Sequence, residues 1–327
     1  MTLRLGKRPA RDAISFRFGT YFDASRLPTP PALIGRPQLV AAWGMLGNDQ
    51  VGNCCWAGAA HETMLWCAEA KSAVTFTDQS VIGDYSAATG YTPSDPNSDA
   101  GTDVQQAASY RQKTGIADAS GTRHRIDAYV ALLPGNVEQL ALAAYLFGAA
   151  GIGIQLPTSA MDQFEAGQPW SVVAGATVEG GHYVPVVGRN SRGNFMVVTW
   201  GRLQAVTPGF LAAYMDEGVG YLSLERLRGS VSPQGFDEAT LQADLGLLRA
   251  STPASSTSPQ QENTMATTTT PIDQSRLIAV KAAIQKVVST FSYLGIKVGD
   301  HVTDAEITAV ATAAIQADDD YQNAPTI

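Results

Sequence analysis

The residues of this chain best suited to chemistry fall in two short stretches. The first is Asp49-Gln50-Val51-Gly52-Asn53-Cys54-Cys55-Trp56-Ala57, which sets thiols at the start of an apolar segment with a side-chain amide just upstream. The second is Gly180-Gly181-His182-Tyr183-Val184-Pro185-Val186-Val187-Gly188, which sets an imidazole at the start of a β-strand. A thiolate nucleophile, a base to activate it and a donor for the developing oxyanion are the parts of a cysteine hydrolase. A thiol at a helix N-terminus also feels the positive end of the helix dipole, which favours the thiolate. On residue type alone, Cys54 and Cys55 both qualify.

Helical and strand periodicities supply the elements that must position these groups. Trp56, Ala59, Ala60, Thr63, Met64 and Cys67 recur at helical spacing and predict a buried helix over 55–70. His61 falls within it and reads as a helix-face residue with a local partner. Residues 84–100 read as a turn-rich loop. A helix is expected from Asp103 to Thr114, stopping at Gly115, and another from Asn136 to Phe147 with Asn136 as N-cap. Strands are expected at 126–133, 151–156, 182–188, 195–200 and 220–224, with a hairpin turn at 189–194. Helices first and mostly antiparallel strands later argue for an α+β fold.

Residues 1–40 read as an extended N-terminal arm packing on a domain surface, and 41–250 as the hydrolase domain, closed by an amphipathic helix from Phe236 to Ala250. Residues 251–272 are a Ser/Thr/Pro-rich linker that cannot bury a core. Residues 273–327 form a two-helix C-terminal tail, its second helix opening on the capping box Thr303-Asp304-Ala305-Glu306. Two such helices rarely hold a core alone. The tail is therefore expected to dock on the main domain, self-associate or bind a partner protein.

Composition narrows the function classes. Of the 327 residues 45% are hydrophobic, enough for a sizeable core, and the net charge of −8 without a basic run disfavours nucleic acid as a partner. No apolar run approaches the ~20 residues that span a bilayer, and the basic start Met1–Pro9 lacks the apolar segment of a signal peptide, so a cytoplasmic protein without a membrane partner is expected. The three cysteines are no disulfide framework: along a helix Cys67 would lie about 18 Å from Cys55. With no CxxC pair and four histidines, neither a zinc site nor another cofactor is expected.

Together these residues resemble the papain-like cysteine peptidase family. Gln50 followed by Cys55-Trp56-Ala57 is similar to that family's oxyanion glutamine and its Cys-Trp-Ala at a helix start. Gly181-His182-Tyr183-Val184-Pro185-Val186-Val187-Gly188 resembles its histidine strand, and Phe195 to Gly201, ending Thr199-Trp200-Gly201, its next strand ending Asn-Ser-Trp-Gly. The likeness spans roughly residues 25–228. It implies a two-lobed fold, helical lobe plus antiparallel sheet lobe. It also implies catalytic roles for Cys55, His182 and Gln50, Trp56 being what selects Cys55 over Cys54.

Three departures accompany the resemblance. The family's glutamine stands six residues before its cysteine, whereas Gln50 stands five before Cys55. The asparagine that orients the family's histidine maps onto Val198, which offers no acceptor. Strand alternation predicts that Thr199 points to the other face, leaving Glu179 as the nearest acidic substitute. The family's long inhibitory prosegment is also absent from the 54 residues before Cys55. The leading expectation is a hydrolase cleaving peptide or isopeptide bonds through a Cys–His thiolate mechanism, with a peptide or protein as substrate. The alternative is a weak or inactive papain-like module with a structural or binding role, such as a phage-particle or assembly component, in which case the virion is a possible location.

Overall fold

The computed structural model describes residues 3–10 and 29–227. The expected helix over 236–250, the linker and the two-helix tail lie outside the described residues. In chain order the elements are α1 (Cys54–Glu69), α2 (Asp78–Thr89), α3 (Val104–Lys113), β1 (Ile116–Ala117), β2 (Arg123–His124), β3 (Ala128–Leu132), α4 (Val137–Phe147), β4 (Ala150–Pro157), α5 (Thr158–Glu165), β5 (Val178–Arg189), β6 (Phe195–Thr199), β7 (Arg202–Val206), α6 (Pro208–Tyr214) and β8 (Met215–Leu222). Helices precede strands, and six strands form one antiparallel sheet in the order β3-β8-β4-β5-β6-β7. The α+β expectation holds. Among the described residues no helix is long and apolar enough to cross a membrane.

Local chemistry explains the boundaries. Asp103 and Asn136 accept the N–H of Gln106 and Gln139 and start α3 and α4 as side-chain caps. Gly115 closes the turn after α3 with φ +78°, which a side chain would resist. The turn-rich reading of 84–100 needs correction over its first residues, because α2 runs through Thr89. A reciprocal Thr77–Ser80 capping box starts this helix and Gly90 ends it. Serine in place of the usual Glu or Gln hid the box.

α1 is buried on nearly every side and packs along β5. The junction carries a closed polar network. Arg111 Nη1 lies 2.7 Å from Glu62 Oε2, Tyr183 donates to Glu62 Oε1 at 2.7 Å, its hydroxyl oxygen lies 3.0 Å from that of Tyr221, and the Arg111 guanidinium sits 4.3 Å over the Tyr221 ring. Tyr183 fits because Gly58 on α1 and Gly151 on β4 have no Cβ; an added methyl at either would collide with its ring or hydroxyl. The network thus ties the helix that begins with the thiols to the residue that follows His182.

The end of the described chain is fastened to the far end of α1. Arg226 donates to Glu69 at 2.6 Å, and His124 lies between Glu225 (3.0 Å) and Asp118 (3.2 Å). Burial pushes His124 down, but Cys67 and the two carboxylates outweigh it and hold the ring up to about 10. A folded-state value above the unfolded ~6.5 stabilises the fold fully below that pH and is lost as pH rises through about 10.

Two outcomes follow from these buried charges. Arg111→Met strands Glu62 without its cation and is expected to cost about 3–5 kcal/mol in urea unfolding; a loss below about 1 kcal/mol would mean the pair is not a structural tie. The urea midpoint of the parent chain should fall between about pH 7 and pH 10, and His124→Gln should flatten that fall.

Candidate active site

α1 opens without a side-chain cap. Its N-cap residue is Asn53, whose amide donates instead to the Leu46 carbonyl at 2.8 Å. The first bonds of the helix run from Trp56 and Ala57 to the Asn53 carbonyl. The N–H groups of Cys54 and Cys55 precede that first closed turn and are the orphan donors of a helix N-terminus, where the dipole is most positive.

The two thiols differ in what they meet. Cys55 Sγ is turned to the Thr102 carbonyl at 3.6 Å. Cys54 is the thiol beside His182. Burial pushes Cys54 up, but the Cys55 thiol, the His182 ring and the Tyr183 backbone N–H together hold it well below the ordinary thiol range. Cys55 moves the other way: its hydrogen bond to Cys54, its burial and the charge on Cys54 push it well above that range. The structure thus sets Cys54 against the imidazole and turns Cys55, the sulfur expected there, toward Thr102.

His182 is 1% exposed and held from two sides. Its ring stacks on Trp200, with centroids 4.6 Å apart and planes 16° apart. Its Nε2 lies 2.8 Å from Thr199 Oγ1. Its Nδ1 is buried without a hydrogen bond, leaving that nitrogen for the Cys54 side. Trp200 itself has φ +45°, a left-handed conformation uncommon for a bulky residue and costing on the order of 1–3 kcal/mol, so the surroundings enforce its stacking position.

Thr199 does what alternation said it could not. From the turn, the β5–β6 ladder runs Arg189↔Phe195 and Gly188↔Met196, then resumes at Val186↔Val197 after an extra residue, Val187. Continued without that bulge, the register would put Val198 on the face of His182. The one-residue shift exchanges the faces, sends Val198 into the core with Trp56 and Tyr183, and brings the Thr199 hydroxyl to the ring. Glu179 is exposed.

Gln50 is not brought to the site. Its side chain is exposed and reaches Asp78 at 3.5 Å. Six residues before Cys54 stands Asn48, a buried amide whose Nδ2 donates to the Val51 carbonyl at 3.2 Å. His61 is buried on the Trp43 and Gly44 carbonyls at 3.1 Å, and burial lowers it to about 4, so it is a neutral core residue.

Residues 3–10 are extended and run between the two site segments. Arg4 donates its N–H to the Asn48 carbonyl, and its own carbonyl accepts from Trp200 Nε1. Thr102 N–H bonds the Gly6 carbonyl, Arg8 N–H the Thr102 carbonyl, and Lys7 N–H the carbonyl of Gly181, one residue before His182. Gly6 packs so closely on the backbone of Gly52 that an added Cβ would overlap the Gly52 carbonyl.

As for metals, Cys67, His124 and Glu225 place ligand atoms within 4.8 Å of one another. Both His124 nitrogens are already engaged by carboxylates and the ring is held protonated, so this set is an ion-pair network and not a ligand set.

The fold of the described residues is shared with solved structures. Xylellain, a cysteine protease from Xylella fastidiosa, superposes with a TM-score of 0.52 at 13% identity, covering 68% of this chain and 97% of that one. The proCathepsin B S9 structure from Trypanosoma congolense gives 0.50 at 14% identity, covering 67% and 86%. The fold is papain-like. No family model matches the sequence of this papain-like chain, and neither does any curated protein.

Thr199→Val removes the partner of a buried ring nitrogen, a loss of about 1–3 kcal/mol. It should slow modification of Cys54 by thiol reagents about 10–100-fold, with Thr199→Ser restoring most of the rate. An unchanged rate in Thr199→Val would show that Trp200 alone holds the ring.

Proposed function

We propose that this chain is a cysteine peptidase acting on peptide or isopeptide bonds. Cys54 is the nucleophile, His182 its base and later its acid, and Thr199 the residue that positions the ring. The observation that carries this reading is a thiol at an uncapped helix N-terminus beside a histidine ring that Thr199 and Trp200 hold in place.

The Cys54 thiolate attacks the scissile carbonyl carbon, forming a C–S bond and pushing the π electrons onto oxygen. The Cys54 backbone N–H faces that oxyanion, with the Asn48 amide as the side-chain donor at the family's six-residue spacing. The oxyanion collapses, the C–N bond breaks, and protonated His182 gives its proton to the leaving amine. His182 then takes a proton from water, which hydrolyses the thioester and restores the thiol. Cys55 stands beside Cys54 with its sulfur turned to the Thr102 carbonyl.

A second reading has its own observation: the groove holds the chain's own residues 4–8, as it would in a papain-like module used for binding rather than catalysis.

The deciding experiment uses Gly6→Val, whose side chain the Gly52 carbonyl excludes, so that the arm leaves the groove. A peptidyl epoxide should form a one-to-one adduct with this chain, mapped to Cys54 by mass spectrometry. The adduct should vanish when Cys54→Ala or His182→Ala is added and persist with Cys55→Ala. A folded protein that is modified only at Cys55, or not at all, would favour the binding module.

A further inference from the structure

Lys7 has an unusual position for a lysine. Its side chain is 1% exposed, and Nζ lies 2.7 Å from Asp216 and 2.8 Å from Glu217 at the start of β8. The two carboxylates keep 31% and 18% of their side-chain exposure, so solvent reaches the acids while the lysine between them is covered. Asp216 is oriented by Gln155 Nε2 at 2.5 Å.

The walls suit a long stem. Gly153 on β4 leaves the room that Lys7 Cε and Cδ fill, and Gly181 on β5 lets the Lys7 carbonyl approach; a Cβ at either would collide. The lysine's own backbone reaches the site segments: its N–H bonds the Gly181 carbonyl, one residue before His182, and it bridges Thr102, whose carbonyl the Cys55 sulfur faces.

A buried ion pair roughly breaks even against a well-packed apolar side chain. Fixing the arm alone would therefore not require a lysine over two acids. A cation-selecting pocket next to a nucleophile would, because discrimination comes from leaving those acids unpaired when the wrong side chain enters.

We propose that Asp216 and Glu217, with Gly153 and Gly181, form the pocket that selects a lysine or arginine side chain of a peptide substrate. Residues 4–8 of the chain occupy it as an internal competitor. The proposal rests on the peptidase reading for its substrate and on the Lys7 contacts for its chemistry. Release of the arm opens the groove, and a basic side chain of the substrate replaces Lys7 between the same two carboxylates.

Two measurements on the full-length chain separate this proposal from the reading beneath it. The first is binding of a fluorescent peptide of residues 3–10 to the Gly6→Val chain. Replacing the peptide's lysine by leucine should weaken binding about tenfold or more, and Asp216→Asn with Glu217→Gln should erase the difference. The second is the rate of Cys54 modification by two peptidyl epoxides that differ only in lysine against leucine. The lysine probe should react about tenfold faster or more. Gly6→Val and Lys7→Glu chains should both react faster than the parent. Modification without lysine preference, or peptide binding indifferent to lysine, overturns the pocket and leaves the peptidase reading standing. Lysine-dependent binding with no modification of Cys54 supports the pocket and overturns the peptidase reading.

Discussion

The account depends on one encounter: a sulfur at the uncapped end of a buried helix meets an imidazole ring pinned on a neighbouring strand. Each partner is useless alone. Burial by itself would raise the Cys54 thiol, and only the ring, the neighbouring thiol and a backbone N–H reverse that. The ring in turn is useful only while one nitrogen is held and the other is free. Much of the rest of the described fold secures those two conditions. The Glu62–Arg111–Tyr183 network fixes the helix to the strand, and Trp200 and Thr199 fix the ring.

Such a site is expensive to keep. Asn53 Oδ1 and His182 Nδ1 are buried without hydrogen bonds, Trp200 is in a left-handed conformation, and the first N–H groups of α1 lack a side-chain cap. Local rules are broken at a cost where function requires it. The arm relates to the same economy, because it places polar backbone against a groove lined by Gly52, Thr102 and Gly181.

Much of this was legible in the sequence. Cys, His and Trp-Gly in order and spacing indicated the fold class, and periodicity located α1, α3, α4 and β4 to β6 within a residue or a few. The differences share a cause: they lie where one residue of register decides. Strand alternation was applied to Thr199 without the Val187 bulge, which a sequence of apolar β-branched residues does not advertise. Cys55 was preferred for its neighbour Trp56, although Cys54 sits six residues after an amide, Asn48, at the spacing expected. Gln50 drew attention as the residue type sought, but the turn that ends at α1 points it outward to Asp78. The arm's pairing with Gly181 and Thr102 is wholly non-local, so nothing in residues 3–10 alone could place it.

The most direct test of the central encounter is the ultraviolet absorbance of the thiolate as a function of pH. It is read in a chain carrying Cys55→Ser, which keeps a donor beside the sulfur, and Cys67→Ser. The account predicts a Cys54 midpoint well below the ordinary thiol range that returns toward it in His182→Ala. A midpoint at or above that range with His182 in place, or one that His182→Ala leaves unmoved, would contradict it.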